Sequence, residues 1–264
     1  SDVSPTPVLF AGAAGGKTGS KNAGLPISII YVDPDAPAAG ANGTLTNPYN
    51  SLTTFTNIPT NGFIVLDGSP TDKPINGNNL KLFNDQKLLS TAVLAAGGIT
   101  VRTNLGNIML PPMTGFGDTV PTQPIFSNPS GGNLVTLAGN NTEVAGITFD
   151  GATKNSSIPN SNGIVGSGIT NFNIHHNAFL NYRDGVALTN ANGIGLFQSN
   201  TMTGLAGVSN DGFRVTNSIP NTNGAGLLDL SINAYTTPTG ITGSPTVVLS
   251  NTANSISGND GAGI

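Results

Sequence analysis

The chain is 264 residues long with 36 glycines, 18 prolines and no cysteine, and charged residues make up 8% of it, where an average globular protein carries about 25%. Disulfide scaffolds, thiolate-ligated zinc and cysteine nucleophiles are excluded together, and an ordinary helical or α/β cytoplasmic enzyme is not expected. The formal net charge of −4 leaves no basic stripe for phosphates, so no nucleic-acid partner is expected, and acidic polymers are not attracted by charge.

Ser1 to Pro26 has almost no periodic apolar pattern and reads as an extended lead-in or linker over 1–27. Within it, Ala11-Gly12-Ala13-Ala14-Gly15-Gly16-Lys17-Thr18 fits a relaxed phosphate-loop pattern. That mechanism needs a helix N-terminus after Lys-Thr to aim backbone N–H groups at phosphates, and Gly19, Gly24 and Pro26 follow instead, so the linker reading is preferred. From residue 28 the text changes to short runs rich in Val, Ile, Leu, Phe and Thr, separated by Asn, Gly, Asp and Pro. Ile29–Val32, Phe63–Leu66, Leu80–Phe83, Ile99–Arg102, Leu134–Leu137 and Val144–Phe149 are predicted strands. Leu105–Ser130, with LPPMTGFGD and five prolines, is predicted to be a projecting or covering loop. No amphipathic helix of helical period stands out, so the class is all-β. No apolar run approaches the roughly 18 residues that span a bilayer, so no membrane span is expected. The opening at Ser1, without a charged and then apolar leader, reads as a mature chain or an excised piece.

The second half repeats itself. Asp184-Gly185-Val186-Ala187-Leu188-Thr189-Asn190 recurs as Asp211-Gly212-Phe213-Arg214-Val215-Thr216-Asn217, with Asn162-Gly163-Ile164 before and Asp260-Gly261 after. A second series, Ile169 to Ile174 then Asn177, and Ile194 to Phe197 then Asn200, runs out of phase with the first. A unit of about 24 residues falls in the solenoid range. A short alternating strand cannot bury its face alone, but stacking the same strand every turn makes parallel ladders about 4.8 Å apart. The prediction is a right-handed parallel β-helix, one domain over 28–264, with about eight coils. Asn177 and Asn200 are expected as stacked corner residues, and Gly163, Gly185 and Gly212 as bends leading into the strands.

Tyr31-Val32-Asp33-Pro34, followed by Gly40 to Leu52 with its Gly-Thr and Asn-Pro turns, resembles the opening of right-handed β-helices of the pectin-lyase-like superfamily. Leu80-Lys81-Leu82-Phe83-Asn84-Asp85-Gln86-Lys87-Leu88-Leu89, after Gly62–Gly68, resembles passenger regions of inverse-autotransporter-type surface proteins. The resemblance covers most of Ile29 to Ile264. It implies the fold far more than an activity, because one β-helix hosts lyases, hydrolases, adhesins and spacers.

On this fold, the resemblance implies, enzymes cut acidic polysaccharides with carboxylates clustered on one ladder. The residues matching that role are Asp184, Asp211, Arg214 and His176, with Arg183 and His175 beside them. If the two Asp-Gly units stack, their carboxylates lie roughly 5 Å apart, as a carboxylate pair would. Recurrence at every coil favours a structural corner, because a catalytic residue has no reason to repeat. His175 and His176 follow a strand, so one ring is expected to face out and the other in or toward a corner, without both reaching one metal. Asp33 and Asp35, with Asn42, Thr44 and Asn47, offer oxygens to calcium, but the Pro-constrained turn is the preferred reading and no cofactor is assigned. Tyr31, Tyr49, Tyr182 and Tyr235 are scattered and form no sugar-stacking platform. The expectation is a non-catalytic structural, adhesive or interaction module, extracellular or on a bacterial cell surface, with a surface glycan or protein as ligand. The chain stops at Ile264 in the opening of another coil, which adds end-to-end self-association to the expected partners. A polysaccharide lyase or glycoside hydrolase is the alternative.

Overall fold

The computed structural model describes residues 28–52, 58, 62–68, 73–76, 79–95, 99–103, 106–110, 122–127, 132–151, 162–182, 184–204, 211–216, 228–233, 246–250 and 255–257. The phosphate-loop-like stretch, Arg183 and Asp260–Ile264 lie outside them. Runs of two to seven residues form the strands, in chain order β1 (Ile29–Val32), β2 (Phe63–Leu66), β3 (Ile75–Asn76), β4 (Leu80–Leu82) and β5 (Lys87–Ser90). A five-residue helix α1 (Thr91–Ala95) precedes β6 (Ile99–Thr103) and β7 (Gly106–Leu110). Then come β8 (Ile125–Ser127), β9 (Val135–Leu137), β10 (Thr142–Ala145), β11 (Thr148–Asp150), β12 (Asn162–Ser167), β13 (Thr170–His175), β14 (Ala178–Tyr182) and β15 (Asp184–Thr189). The last are β16 (Asn192–Gln198), β17 (Thr201–Gly204), β18 (Asp211–Thr216), β19 (Leu228–Asn233), β20 (Thr246–Ser250) and β21 (Ser255–Ser257).

The protein is all-β, and three parallel sheets make up its body. Sheet I has the order β1-β2-β5-β10-β13-β16-β19-β21, sheet II β17-β14-β11-β8-β3, and sheet III β20-β18-β15-β12-β9-β4. The chain visits them in rotation: β10, β11 and β12 supply one strand to each sheet, β13, β14 and β15 the next, and β16, β17 and β18 the next again. Each strand pairs in parallel with its counterpart one circuit on. This connectivity is compatible with a β-helix. The eight strands of sheet I extend about 34 Å at the usual spacing.

The register buries like on like. In sheet II, Phe126, Phe149, Phe179 and Met202 are successive partners, all at most 1% exposed. Phe149 and Phe179 stack with ring centroids 4.9 Å apart and planes 6° from parallel. Ile30, Ile64, Leu88, Val144, Ile174 and Phe197 form the inward column of sheet I, and Leu82, Leu137, Gly166, Leu188 and Val215 one of sheet III. Each fully buried side chain of this size contributes about 1.5–3 kcal/mol, so the interior columns are the main force holding the circuits together.

Three sequence expectations change. The repeat is not a regular 24 residues: hydrogen-bonded corner residues of adjacent circuits are 22, 23, 30 and 56 apart in sequence. The longest step leaves sheet I after β5 and rejoins the stacked sheets at β8 of sheet II, carrying α1 and the antiparallel pair β6–β7, which stands outside the three sheets. Leu105–Ser130 is therefore not one loop: Gly106–Leu110 is half of a hairpin, and Ile125–Ser127 is a strand of sheet II. Likewise Val144–Phe149 is two strands, because Gly146 takes φ 76° and turns the chain from sheet I to sheet II.

The insertion also builds a second, smaller core. Val93 and Leu94 of α1 cluster with Phe63, Val65, Leu89 and Ala145, which occupy the outward face of sheet I. One face of that sheet therefore packs into the main core and the other, at these strands, under the helix.

Candidate functional site

The corners explain most of the polar residues singled out by the repeat. Between sheets I and II, Gly146 (φ 76°), His176 (φ 55°) and Ser199 (φ 50°) hold left-handed backbone in three successive circuits. Glycine is strain-free there, whereas the other two lean on their neighbours. The next position in each circuit points in: Ile147, Asn177 and Asn200, all at most 1% exposed. Asn177 Nδ2 donates to Val144 O at 2.9 Å and to Asn200 Oδ1 at 3.1 Å, and its Oδ1 accepts from Ile147 N at 3.1 Å. Asn200 Nδ2 donates to Ile174 O at 2.8 Å, and its Oδ1 accepts from Asn177 N at 3.0 Å. Each carboxamide satisfies backbone groups of the circuit behind it, so these two residues are ties in the interior.

The corner between sheets III and I carries a second ladder that repetition did not reveal. Asp85, Asn141, Asn171 and Gly193 all have positive φ. Asn141 Nδ2 donates to Asp85 Oδ1 at 3.0 Å, Asn171 Nδ2 to Asn141 Oδ1 at 2.8 Å, and Ile194 N to Asn171 Oδ1 at 2.8 Å.

Gly163 is not a bend. It lies inside β12, and a Cβ there would meet Gly185 O at 2.6 Å and the Phe179 ring at 2.7 Å. Its lack of a side chain lets adjacent circuits close up, with Gly185 of β15 directly against it. Gly212 also lies inside a strand, β18.

Asp184 and Asp211 are partners in register at the starts of β15 and β18, as the repeat alignment required. Asp184 is 3% exposed, and Arg214 of β18 donates from Nη2 to its Oδ2 at 2.5 Å, with the guanidinium about a third exposed. Asp184 is thus joined to the next circuit by a charge-assisted bond. His176 is not part of this group: it sits at the corner before β14, and all of β14 separates it from Asp184.

Sequence reasoning missed the densest group of buried charge. Lys87 and Glu143 are register partners on β5 and β10, facing outward because Leu88 and Val144 face in, yet each is 2% exposed. Glu143 Oε1 lies 2.9 Å from Nε2 of His175 on β13. Lys87 Nζ donates to Asn141 O. Asn173, the register partner of Glu143 on β13, has a buried Oδ1 without a hydrogen-bond partner among the described residues. The only sequence signal was position: two charges at outward places of apolar runs, which reads as solvated surface.

One histidine is in and the other out, as the strand end implies, but their rings meet. His175 is buried, at 8% exposure, and His176 is exposed. Strand alternation predicts divergent rings, but the left-handed turn at His176 swings its ring back. Nδ1 of His175 and Nδ1 of His176 are 2.8 Å apart, with the rings edge-on at 84°. One of the two nitrogens carries the proton between them. Partial burial, and then the neighbouring His175 charge, pull the His176 imidazole below its ordinary range. Elsewhere burial, and then the Asp150 carboxylate, push the Tyr182 phenol far up, and burial alone raises Tyr31.

At the first turn, Asp33 Oδ1 accepts from Asp35 N at 2.8 Å, and Asn42 Oδ1 accepts from Thr44 N at 3.2 Å and Thr44 Oγ1 at 2.7 Å. Asp35 faces Lys73 Nζ at 4.0 Å in solvent. These oxygens shape turns. Among the described residues no three of His, Cys, Asp and Glu are grouped to hold a metal ion, and no helix is long and apolar enough to cross a membrane. Comparisons with protein-family models, with curated proteins and with solved structures find no match.

Proposed function

We propose that the chain is a right-handed parallel β-helix of pectin-lyase-like type, serving as a secreted or cell-surface structural and adhesive module without catalysis. The observation that carries this reading is the Asp184–Arg214 bond: the aspartate that best matched a catalytic acid is buried and tied to the next circuit. Three further points support it. Parallel strands of one sheet joined by crossovers wind right-handed in about 98% of cases. The turn sequence from Tyr31 to Leu52 resembles the opening of that superfamily, and the stretch from Leu80 to Leu89 resembles inverse-autotransporter passengers. A chain without cysteine suits export across an outer membrane in unfolded form.

The test is incubation of the full chain with a panel of polyuronates, reading unsaturated products by absorbance and reducing ends separately. The expected result is no product above the blank. Turnover that is lost in Asp184→Asn and in Asp211→Ala, with the strand signal in circular dichroism retained, would replace the scaffold reading with a polysaccharide lyase or glycoside hydrolase. Localisation is tested by antibody labelling of intact producing cells. Surface signal is expected, and signal that appears only after lysis overturns it.

A further inference from the structure

The chain contains two histidines and no cysteine, and the fold brings both imidazoles to one spot. Their Nδ1 atoms face each other at 2.8 Å. Two imidazoles holding one tetrahedral ion at about 2.0–2.1 Å place their nitrogens about 3.3 Å apart, so the nitrogens must part by about half an ångström and the His176 ring must also turn until its lone pair meets that of His175 at the ion. His176 is exposed at a corner and can supply that movement, whereas His175 is buried and fixed.

What fixes His175 is informative. Its remote nitrogen, Nε2, lies 2.9 Å from the carboxylate of Glu143, itself 2% exposed. Metal-binding histidines commonly donate their second N–H to a carboxylate, which sets the tautomer, orients the ring and raises its basicity. With Nε2–H on Glu143, His175 presents a lone pair on Nδ1, toward His176. Lys87 belongs to β5, two strands from β13 and so roughly 10 Å along the sheet, and its Nζ bonds Asn141 O. Gln198 is the register partner of His175 on the other side.

We propose that His175 and His176 form a two-imidazole site for a late first-row divalent metal ion, Nδ1 of each ring serving as ligand, water completing the shell and Glu143 acting as positioning residue. Neutral imidazole suits zinc, copper and nickel. His176 exchanges its Nδ1 proton for one on Nε2 through solvent, so no net proton leaves when both rings are neutral. The site lies apart from the Asp184–Arg214 tie and does not rest on the scaffold reading.

Zn2+ is the probe, titrated calorimetrically into the full chain at neutral pH in a non-chelating buffer. One ion per chain is expected, with the ring-nitrogen resonances of both histidines shifting together. His176→Asn should abolish binding and leave the fold intact, because asparagine already holds left-handed backbone at Asn141, Asn171 and Asn190. Glu143→Gln should keep the stoichiometry and weaken affinity by about 10–100-fold. Absence of binding overturns the proposal, as does binding that survives His176→Asn, which would place the ion on surface carboxylates. Unchanged affinity in Glu143→Gln refutes the role given to Glu143.

Discussion

Replacing Asn177 by alanine probes the interior ladder directly. Its carboxamide makes three hydrogen bonds, to Val144 O, Ile147 N and Asn200 Oδ1. At about 1 kcal/mol net for each, their loss costs about 3 kcal/mol. Ile147 is fully buried, so its N–H is left facing a small void without an acceptor, which adds about 1–3 kcal/mol. The expected loss is about 4–6 kcal/mol, a large share of the 5–15 kcal/mol typical of a whole domain. Urea unfolding followed by circular dichroism measures it, with exposed Thr189→Ala as a control expected to stay within about 0.5 kcal/mol. Asn177→Ala and Asn200→Ala share a bond, so the double variant should lose clearly less than the two losses combined. A loss under about 1 kcal/mol for Asn177→Ala would mean that water replaces the amide and that the ladder does not hold the circuits together.

Three further outcomes are expected. Gly163→Ala, whose Cβ would strike Gly185 O and the Phe179 ring, should cost about 1–3 kcal/mol by denaturant unfolding. Gly168→Asn, at φ 65° in open space, should be nearly neutral, since Asn190 occupies the equivalent corner one circuit on; equal losses would refute the close-approach argument. Arg214→Met should lower the unfolding midpoint more than Asp184→Asn, because the first leaves a buried carboxylate without its guanidinium and the second leaves a guanidinium that can turn to water; the reverse order would show that the pair matters little. The raised phenol of Tyr182 favours its neutral form in the fold. Its stabilising effect is therefore complete below the ordinary tyrosine pKa of about 10 and is lost as pH rises above it. In an alkaline titration read by phenolate absorbance, one tyrosine should ionise only as the strand signal disappears, and Tyr182→Phe should remove that late step; phenolate formation by all four tyrosines with the strands intact would contradict it.

What was readable in the text followed from identity of residue and evenness of spacing. Asn177 and Asn200 are the same residue 23 apart, and Asp184 and Asp211 open the same phrase, so parallel stacking could be inferred before any coordinates. The ladder of Asp85, Asn141, Asn171 and Gly193 uses three residue types at uneven intervals, and what unites them is a backbone angle that the letters do not display. Gly146 splits an apolar run for the same reason. Lys87 and Glu143 were hidden for a different one. Alternation tells which face of a strand a residue occupies, but not whether that face is later covered. Here α1, part of the excursion between β5 and β8, packs on the same outward face beside them. The facing of the two histidines depends on a left-handed turn one residue past the strand end, beyond the reach of a period-two argument.

The unequal circuits have a consequence of their own. Asp85 and Asn141 bond as closely as Asn141 and Asn171, although they lie 56 positions apart in the first case and 30 in the second. Lengthening a flexible connection from about 22 to 56 residues costs only about 0.8 kcal/mol in closure entropy. The rungs therefore act like a spine that is indifferent to the size of what hangs between its vertebrae. A foreign peptide spliced into the excursion between β5 and β8 would be displayed on the flank at small thermodynamic expense, while the aromatic stack of sheet II went on as before.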